Sequence, residues 1–167
     1  APMPHISTGF PNLDKALGIG GVPRSRITEV LGAPTSGMAT LTLKVIANAQ
    51  AQGDIAAYLD LSQTFDPDYA ARCGGDLEGL LLARPHTGAE ALEILYSLIA
   101  SRGAGVLVFE LGGRPQRLIP VGEPGGPLSL LFGRRPHHQP SRARAGISAI
   151  VGLFIGSASM DVGLCAV

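Results

Sequence analysis

The chain has 167 residues, of which 13 are basic and 13 acidic, so its formal net charge is zero. This length suits one domain with a buried core, and a hydrophobic content of 46% argues against wholesale disorder. Neutrality argues against a uniformly basic nucleic-acid binder, although it allows a local basic patch. The two distant cysteines, Cys73 and Cys165, indicate neither a disulfide scaffold nor a cysteine zinc site. Because residues 1–10 show no basic-then-apolar signal pattern, we expect a cytoplasmic protein.

The charges are distributed unevenly along the chain. Residues 1–110 contain seven basic and eleven acidic side chains, whereas residues 111–167 contain six arginines and two acids. Seven glycines, six prolines and six arginines fall within residues 112–146, and this composition is typical of an irregular segment. We therefore predict three parts: a core over 1–110, an irregular segment over 111–146, and an apolar strand or edge element over 147–167.

The first predicted elements form a strand, a helix and a second strand. Residues 26–31 are a strand candidate that ends at Gly32. Residues 39–52 carry apolar side chains at helical spacing, and Gly53 stops the helix. Residues 55–60 are a short apolar run, which predicts a buried strand.

The same alternation continues towards residue 110. Asp66 is placed to cap a short helix whose first position is proline, and residues 80–83 predict a strand. Thr87 and Glu90 form a capping box that opens a helix reaching about residue 102. Residues 105–110 are a further apolar strand. Apolar strands that alternate with helices indicate a parallel sheet covered on both faces.

The apolar end of the chain allows two interpretations. Residues 147–167 contain a single charge, Asp161, and arginines precede them, so a membrane helix has to be weighed. Three glycines and three serines interrupt this stretch. We favour a buried strand over 147–155 followed by a short edge element.

A glycine-containing loop lies between the first strand and the first long helix. Gly32 and Gly37 have the spacing of a phosphate-binding loop, in which backbone N–H groups and a helix N-terminus hold an anion. Met38 stands at the position of the expected lysine, and Ala39 at that of the magnesium-binding hydroxyl. Thr40 comes one position late and would point about 100° further round the helix. The loop alone therefore predicts weak anion binding at most.

Several stretches resemble, in order, the ATPase core of the bacterial recombinase RecA family. They are Ile6-Ser-Thr-Gly9, Gly20-Gly-Val-Pro23, Leu41-Thr-Leu43, Asp66-Pro67 with Tyr69-Ala70, and Thr87-Gly88 with Glu90-Ala-Leu-Glu-Ile94. The resemblance covers about residues 6–110. It implies an α/β, RecA-like fold, with a mostly parallel twisted sheet, helices on both faces, and truncation relative to the full family core.

The resemblance also identifies chemical positions that this chain has altered. Ser62 stands where the family has the glutamate that prepares water for attack on the γ-phosphate, and serine cannot act as a carboxylate base. Glu110 stands where an aspartate on the metal side is usual. With Met38 and Ala39, these replacements imply loss of ATP hydrolysis, and no catalytic residue and no metal site are predicted.

Residual nucleotide binding without turnover is the alternative that the resemblance leaves open. Tyr69 aligns with the aromatic residue that stacks on adenine, and Asp66 with a residue near the base; Tyr69 packing on the sheet edge is the competing interpretation. No cofactor is expected beyond weak binding of ATP, ADP or phosphate. The candidate binding residues are Gly32, Thr35, Ser36, Gly37, Met38, Ala39, Thr40, Asp66, Tyr69 and Glu110.

A small basic patch lies within the irregular segment. Arg134, Arg135, Arg142 and Arg144 could attract nucleic-acid phosphates, although few aromatic side chains are near for base stacking. A solvated linker is the competing interpretation. The neighbouring histidines lack further ligands at metal-site spacing.

The sequence thus predicts a RecA-like protein without ATPase activity that acts as a binding or regulatory factor in DNA repair or recombination. Expected partners are RecA or another repair protein, DNA through the basic tail, or a second copy of the chain, with no membrane partner. The alternative is a nucleotide-dependent ATPase or switch that borrows a cation from another chain, or in cis from Arg24, Arg26 or Lys44. A defective relic without function is the third possibility.

Overall fold

A computed structural model describes residues 2–32, 36–110 and 149–155 of the chain. Strands and helices alternate through the described core, as the apolar periodicity predicts. The strands are β1 (His5–Ile6), β2 (Val22–Pro23), β3 (Arg26–Gly32), β4 (Ala56–Asp60), β5 (Leu80–Ala83), β6 (Val106–Glu110) and β7 (Ala149–Ile155). The helices are α1 (Pro11–Ala16), α2 (Met38–Ala51), α3 (Pro67–Arg72) and α4 (Gly88–Ser101).

The main sheet has five strands in the order β3-β7-β6-β4-β5. Strand β4 pairs in parallel with β5 and with β6, whereas β7 is antiparallel to both β3 and β6. Strands β3, β4, β5 and β6 therefore run in one direction, and their carboxyl ends meet at one edge of the sheet. The α/β class and the parallel arrangement predicted from the sequence are confirmed.

Helices cover the sheet on both faces. Helices α2 and α3 bury one apolar cluster, which includes Ile46, Ala70 and Val108. Helix α4 buries the other through Ala91 and Leu95, which pack with side chains of β4 and β6. All five residues of β4 are buried, because this strand has neighbours on both sides and helices above and below.

Strand β5 lies where the sequence predicts a strand, but its apolar side chains are only partly buried. Leu81 and Leu82 are 49% and 40% exposed, because β5 is an edge strand with β4 as its only neighbour in the described sheet. Ile55 lies outside β4, which begins one residue later than predicted, and is 51% exposed.

Both predicted helix caps form, with one difference in detail. The Asp66 carboxylate accepts a hydrogen bond from the N–H of Tyr69 (3.0 Å), and the Thr87 hydroxyl accepts one from the N–H of Glu90 (3.1 Å). The Glu90 carboxylate, however, accepts from the N–H of His86 (2.7 Å) rather than from that of the capping threonine. The glutamate therefore closes the turn one residue before the helix cap.

The predicted C-terminal strand corresponds to β7, which lies between β3 and β6. Across the described ranges, no helix combines the length and the apolar character needed to cross a membrane. The irregular segment predicted over 111–146 lies outside the described residues.

Candidate phosphate-loop and strand-end site

The candidate site lies where the four same-direction strands end. Gly32 ends β3, Asp60 ends β4, and Glu110 ends β6, while Asp60 and Glu110 are register partners across the parallel pair. Ligands of open α/β sheets bind at this kind of carboxyl edge. The topology therefore places Gly32, where the glycine loop begins, and both acidic residues at the same edge of the sheet.

The described part of the glycine loop leads directly into α2. Gly37 is the N-cap in a left-handed conformation (φ 90°), and its carbonyl accepts the first helical hydrogen bond from the N–H of Leu41 (2.9 Å). Met38 begins the helix as a half-buried residue, while Ser36 and Ala39 are exposed. The first helical turn thus carries a thioether and a methyl group where a lysine and a hydroxyl would bind phosphate and metal. Thr35 lies outside the described residues.

Thr40 contacts α3. Its hydroxyl shares a hydrogen bond with the hydroxyl of Tyr69, and both residues are half-buried. The guanidinium of Arg72 lies 5.4 Å from the centre of the Tyr69 ring, at the distance of a cation–π contact. Both the ring and the hydroxyl of Tyr69 therefore have partners within the chain.

Glu110 is held by two hydroxyl groups. The hydroxyl of Tyr58 donates to its Oε2 (3.0 Å), and that of Thr64 donates to its Oε1 (3.1 Å). The Ser62 and Thr64 hydroxyls are in turn hydrogen-bonded to each other (2.7 Å). Each carboxylate oxygen of Glu110 thus accepts an internal hydrogen bond, and Ser62 brings a neutral hydroxyl into the site.

The Tyr58 phenol is kept protonated in this arrangement. Burial of its side chain raises the pKa of Tyr58 far above its ordinary value, and the adjacent negative charge of Glu110 raises it further. Tyr58 therefore remains a hydrogen-bond donor to Glu110 throughout the physiological pH range.

Asp60 is fully buried and accepts three hydrogen bonds. The N–H groups of Thr64 (3.0 Å) and Phe65 (3.1 Å) cap its two oxygens. The third donor is Nε of Arg84, 3.4 Å from Oδ2 of Asp60, and the Arg84 side chain is 51% exposed. Asp60 thereby shapes the turn after β4 and brings a cation to the site.

Comparison with known proteins assigns this arrangement to a family. Residues 2–121 match the RecA N-terminal domain. The chain belongs to the RecA family. It is 48% identical over 110 residues to Protein RecA of Arthrobacter sp. (strain FB24) and to Protein RecA of Leifsonia xyli subsp. xyli (strain CTCB07). Each alignment covers 66% of this chain and 31% of the relative, so the chain spans about a third of the length of these RecA proteins.

The RecA-family site has no cluster of metal ligands in the part of the chain that the structure describes. No group of three or more histidine, cysteine, aspartate or glutamate side chains lies close enough to hold an ion there. Asp60 and Glu110 are register partners, but each is engaged with the hydrogen-bond donors described above.

The cations considered in cis lie away from the strand ends of this RecA-family sheet. Arg24 pairs with Asp54 (2.7 Å), just before β3 and β4 begin, and is therefore at the opposite edge. Arg26 starts β3 and donates to a backbone carbonyl. Lys44 lies in the second turn of α2 with its aliphatic carbons beside Gly9.

Arg84 is the site residue that sequence reasoning missed. Its position in the sequence could have identified it, because Arg84 directly follows β5. The parallel topology then puts it at the carboxyl edge of the sheet, beside Asp60. The four arginines predicted to bind DNA (Arg134, Arg135, Arg142 and Arg144) lie outside the described residues.

Proposed function

We propose that this RecA-family chain acts as a binding or regulatory factor in DNA recombination or repair and does not hydrolyse ATP. The observation that carries the proposal is the chemistry at three positions. Met38, Ala39 and Ser62 offer neither the cation, nor the metal-binding hydroxyl, nor the carboxylate base that phosphoryl transfer to water uses.

The contacts around Glu110 support the same proposal. A carboxylate on the metal side of a nucleotide site has to present free oxygen atoms to the hydrated ion. In this chain the hydroxyls of Tyr58 and Thr64 each donate to one oxygen of Glu110. These two hydrogen bonds take one acceptor site on each oxygen of Glu110 and leave fewer sites for a hydrated metal ion.

In the part of the chain that the structure describes, β5 is an edge strand, and this edge supports a role in protein association. Leu81 and Leu82 are 49% and 40% exposed, and Leu77, just before the strand, is 40% exposed. A bare edge strand offers backbone N–H and C=O groups for pairing with another chain, and the leucines offer apolar contact beside it. We propose that a RecA subunit, or a second copy of this chain, binds there.

The absence of hydrolysis is tested by measuring phosphate release from ATP with magnesium. We expect no release from the wild-type protein or from the double variant Met38→Lys with Ala39→Thr. The double variant should bind a fluorescent ATP analogue more tightly, because it regains a cation and a hydroxyl. Adding Ser62→Glu to the double variant supplies the missing carboxylate. Phosphate release by this triple variant tests whether ATP hydrolysis is regained. Magnesium-dependent phosphate release by the wild type, or by the double variant, would overturn the proposal.

Association is tested by sedimentation of the chain alone and mixed with purified RecA of Arthrobacter sp. (strain FB24). We expect a complex with the wild type that Leu81→Glu abolishes, because a charge on the β5 edge opposes burial. Leu17→Glu is the matched control, since Leu17 is 42% exposed at the end of α1. Equal binding by the wild type and Leu81→Glu would exclude this edge as the interface.

A nucleotide-dependent switch is the second candidate, favoured by the retained Tyr69 and Asp66. Tyr69 projects from α3 towards the first turn of α2, where the loop ends. Titration with the fluorescent ATP analogue, with and without magnesium, tests this candidate. Micromolar, magnesium-dependent affinity would support it, and the absence of saturable binding would exclude it.

DNA binding through Arg134, Arg135, Arg142 and Arg144 is proposed from the sequence alone. Four arginine–phosphate contacts on single-stranded DNA predict a slope of about −3 in a plot of log affinity against log salt. A salt series with a single-stranded oligonucleotide, repeated after changing these four arginines to alanine, measures that slope. An affinity independent of salt would contradict the proposal.

A further inference from the structure

The outer edge of β5 is apolar and exposed. The strand comprises Leu80–Ala83, and β4 is its only neighbour among the described strands. Leu81 and Leu82 are 49% and 40% exposed. Edge strands of natural proteins commonly carry a charge or a proline that opposes pairing with a second chain. None of the four residues of β5 is charged or a proline, so the composition of this edge does not oppose the addition of a further strand.

A strand added to this edge would cover apolar side chains on both faces of the sheet. Leu80 packs against the apolar cluster that α2 and α3 bury, and Ala83 packs against the cluster that α4 buries. Side chains alternate between the two faces along a strand. Leu82 therefore lies on the face of α2 and α3, and Leu81 lies on the face of α4. Each face thus presents one exposed leucine to an added strand.

Acidic residues precede β5 and basic residues follow it. Asp76 and Glu78 come before the strand, Arg84 and His86 come after it, and all four are exposed. Arg84 contacts Asp60 through Nε alone, at 3.4 Å. Within the described residues, neither the carboxylate of Glu78 nor the two Nη groups of Arg84 have a hydrogen-bond partner. Both side chains are therefore available to a second chain at this edge.

This order of charges determines how two copies of the strand can pair. In an antiparallel pair of identical strands, the acidic start of one lies beside the basic end of the other, whereas a parallel pair places like charges together. Glu78 and Arg84 each lie three residues from Leu81. With Leu81 of both copies on a two-fold axis, Glu78 of one copy is therefore opposite Arg84 of the other. Leu80 is then opposite Leu82. A register shifted by one residue would place the proline that follows Arg84 opposite Glu78 instead.

We propose that two copies of this chain associate by antiparallel pairing of their β5 strands. Leu81 lies at the two-fold axis, and Glu78 of each copy lies beside Arg84 of the other. Because the same edge is used by both copies, the contact is closed and forms a dimer rather than a filament. The proposal rests on the β5 edge that the proposed function uses for association, and it commits to a second copy of the chain as the partner.

The position of the two-fold axis is tested by disulfide trapping in the full chain. Leu81→Cys places two thiols directly opposite each other. Leu82→Cys is the matched control, because its two thiols would occupy diagonal positions with Cα atoms about 7–8 Å apart, beyond the usual range of a disulfide. With oxidised glutathione, we expect a disulfide-linked dimer of Leu81→Cys on a non-reducing gel. The Leu82→Cys variant and the wild type, which contains Cys73 and Cys165, should stay monomeric on the gel.

The charge pairs are tested by sedimentation of the chain alone over a series of concentrations. We expect a monomer–dimer equilibrium that Glu78→Arg and Arg84→Glu each weaken by at least about tenfold, because each brings like charges together. An equimolar mixture of these two variants should associate nearly as the wild type does, since both pairs across the axis again have opposite charge. Arg102→Glu, at an exposed position at the end of α4, is the matched control and should leave the equilibrium unchanged. Glu78→Arg and the disulfide test keep the proposal falsifiable if Arg84→Glu does not fold.

Four outcomes would overturn the proposal. They are a chain that stays monomeric at every concentration, a dimer that neither charge variant weakens, a mixture that associates no better than its two components, and equal or absent trapping of Leu81→Cys and Leu82→Cys. A monomeric chain that still binds RecA of Arthrobacter sp. (strain FB24) would leave the proposed function intact. A dimer that does not bind RecA and releases phosphate from ATP would contradict the proposed function alone, so the two failures are distinguishable.

Discussion

The hydroxyl of Thr40 is hydrogen-bonded to the hydroxyl of Tyr69. This contact joins the first turn of α2, which follows the glycine loop, to α3, on which Arg72 lies over the Tyr69 ring. Thr40, which comes one position after the hydroxyl position of the phosphate-loop pattern, is therefore engaged in a hydrogen bond within the protein. Two side chains from the predicted nucleotide site stabilise the packing of two helices.

Removal of either hydroxyl should destabilise the protein by a similar amount. We expect Tyr69→Phe and Thr40→Val each to lower the free energy of unfolding by about 1 kcal/mol, the net contribution of a typical internal hydrogen bond. The double variant should lose less than the sum of the two single losses. Urea unfolding of the four proteins measures this coupling, with Tyr96→Phe as a control because Tyr96 is 64% exposed. Strictly additive losses would show that the two hydroxyls do not interact.

Local signals in the sequence predicted the elements well. The cap at Asp66, the cap at Thr87 and the stop at Gly53 depend on residues within a few positions, and each lies where predicted. The apolar runs also placed β4 and β6 within one residue of their observed bounds. These features could be predicted because their physical causes act over a single turn of the chain.

The contacts that define the site depend on tertiary structure and were missed. Thr40 and Tyr69 are 29 positions apart, Tyr58 and Glu110 are 52 apart, and Asp60 and Arg84 are 24 apart. No local pattern marks such pairs, since they form only when strands become neighbours in the sheet or when helices pack against each other. The resemblance to the family identified Glu110 as a position of interest, but not the hydroxyls that bind it.

Tyr58 should make the protein less stable in alkaline solution. Its pKa is raised in the folded state by burial and by Glu110, so above about pH 10 the unfolded chain loses a proton that the folded chain keeps. The contribution of Tyr58 to stability is therefore complete below pH 10 and declines as the pH rises further. Tyr58→Phe should cost about 2 kcal/mol at pH 7, because Glu110 loses a donor, and should flatten the alkaline decline. Urea unfolding between pH 7 and 11 checks both effects, and equal alkaline slopes in the two proteins would contradict the assignment.

Asp14 should stabilise the start of the domain at neutral pH. Burial opposes its ionisation, but hydrogen bonds from Ser7 (2.6 Å) and from the hydroxyl (2.7 Å) and N–H (2.9 Å) of Thr8 outweigh burial and lower the pKa of Asp14. Its contribution is therefore present above about pH 4, the ordinary aspartate value, and is lost as the pH falls through the lowered pKa.

Replacement of Asp14 by asparagine should reveal this dependence. Asp14→Asn should lose about 1 kcal/mol at pH 7, and its stability should fall less steeply than that of the wild type below pH 4. The matched control is Asp68→Asn, because no hydrogen bond joins the Asp68 side chain to another described residue. Unfolding by urea between pH 7 and 3 gives the three curves. If the free energy of unfolding of Asp14→Asn falls below pH 4 as steeply as that of the wild type, other carboxylates cause the loss of stability in acid.

Gly21 should be the least replaceable of the glycines before β3. A Cβ atom at this position would lie 2.1 Å from the carbonyl oxygen of Ile6, a backbone atom of the strand that pairs with β2. Ile6 is fully buried, so β1 cannot move aside without disturbing the core. Gly21→Ala should therefore lower the free energy of unfolding by at least about 3 kcal/mol, the upper end of the usual cost of overpacking. Gly18→Ala is the matched control: its φ of +77° is left-handed, but nothing lies within 4 Å of its Cβ position. That variant should lose only the 1–2 kcal/mol or so of left-handed strain. Thermal or urea unfolding separates the two variants, and equal losses would mean that backbone strain, rather than the clash with Ile6, sets the requirement for glycine.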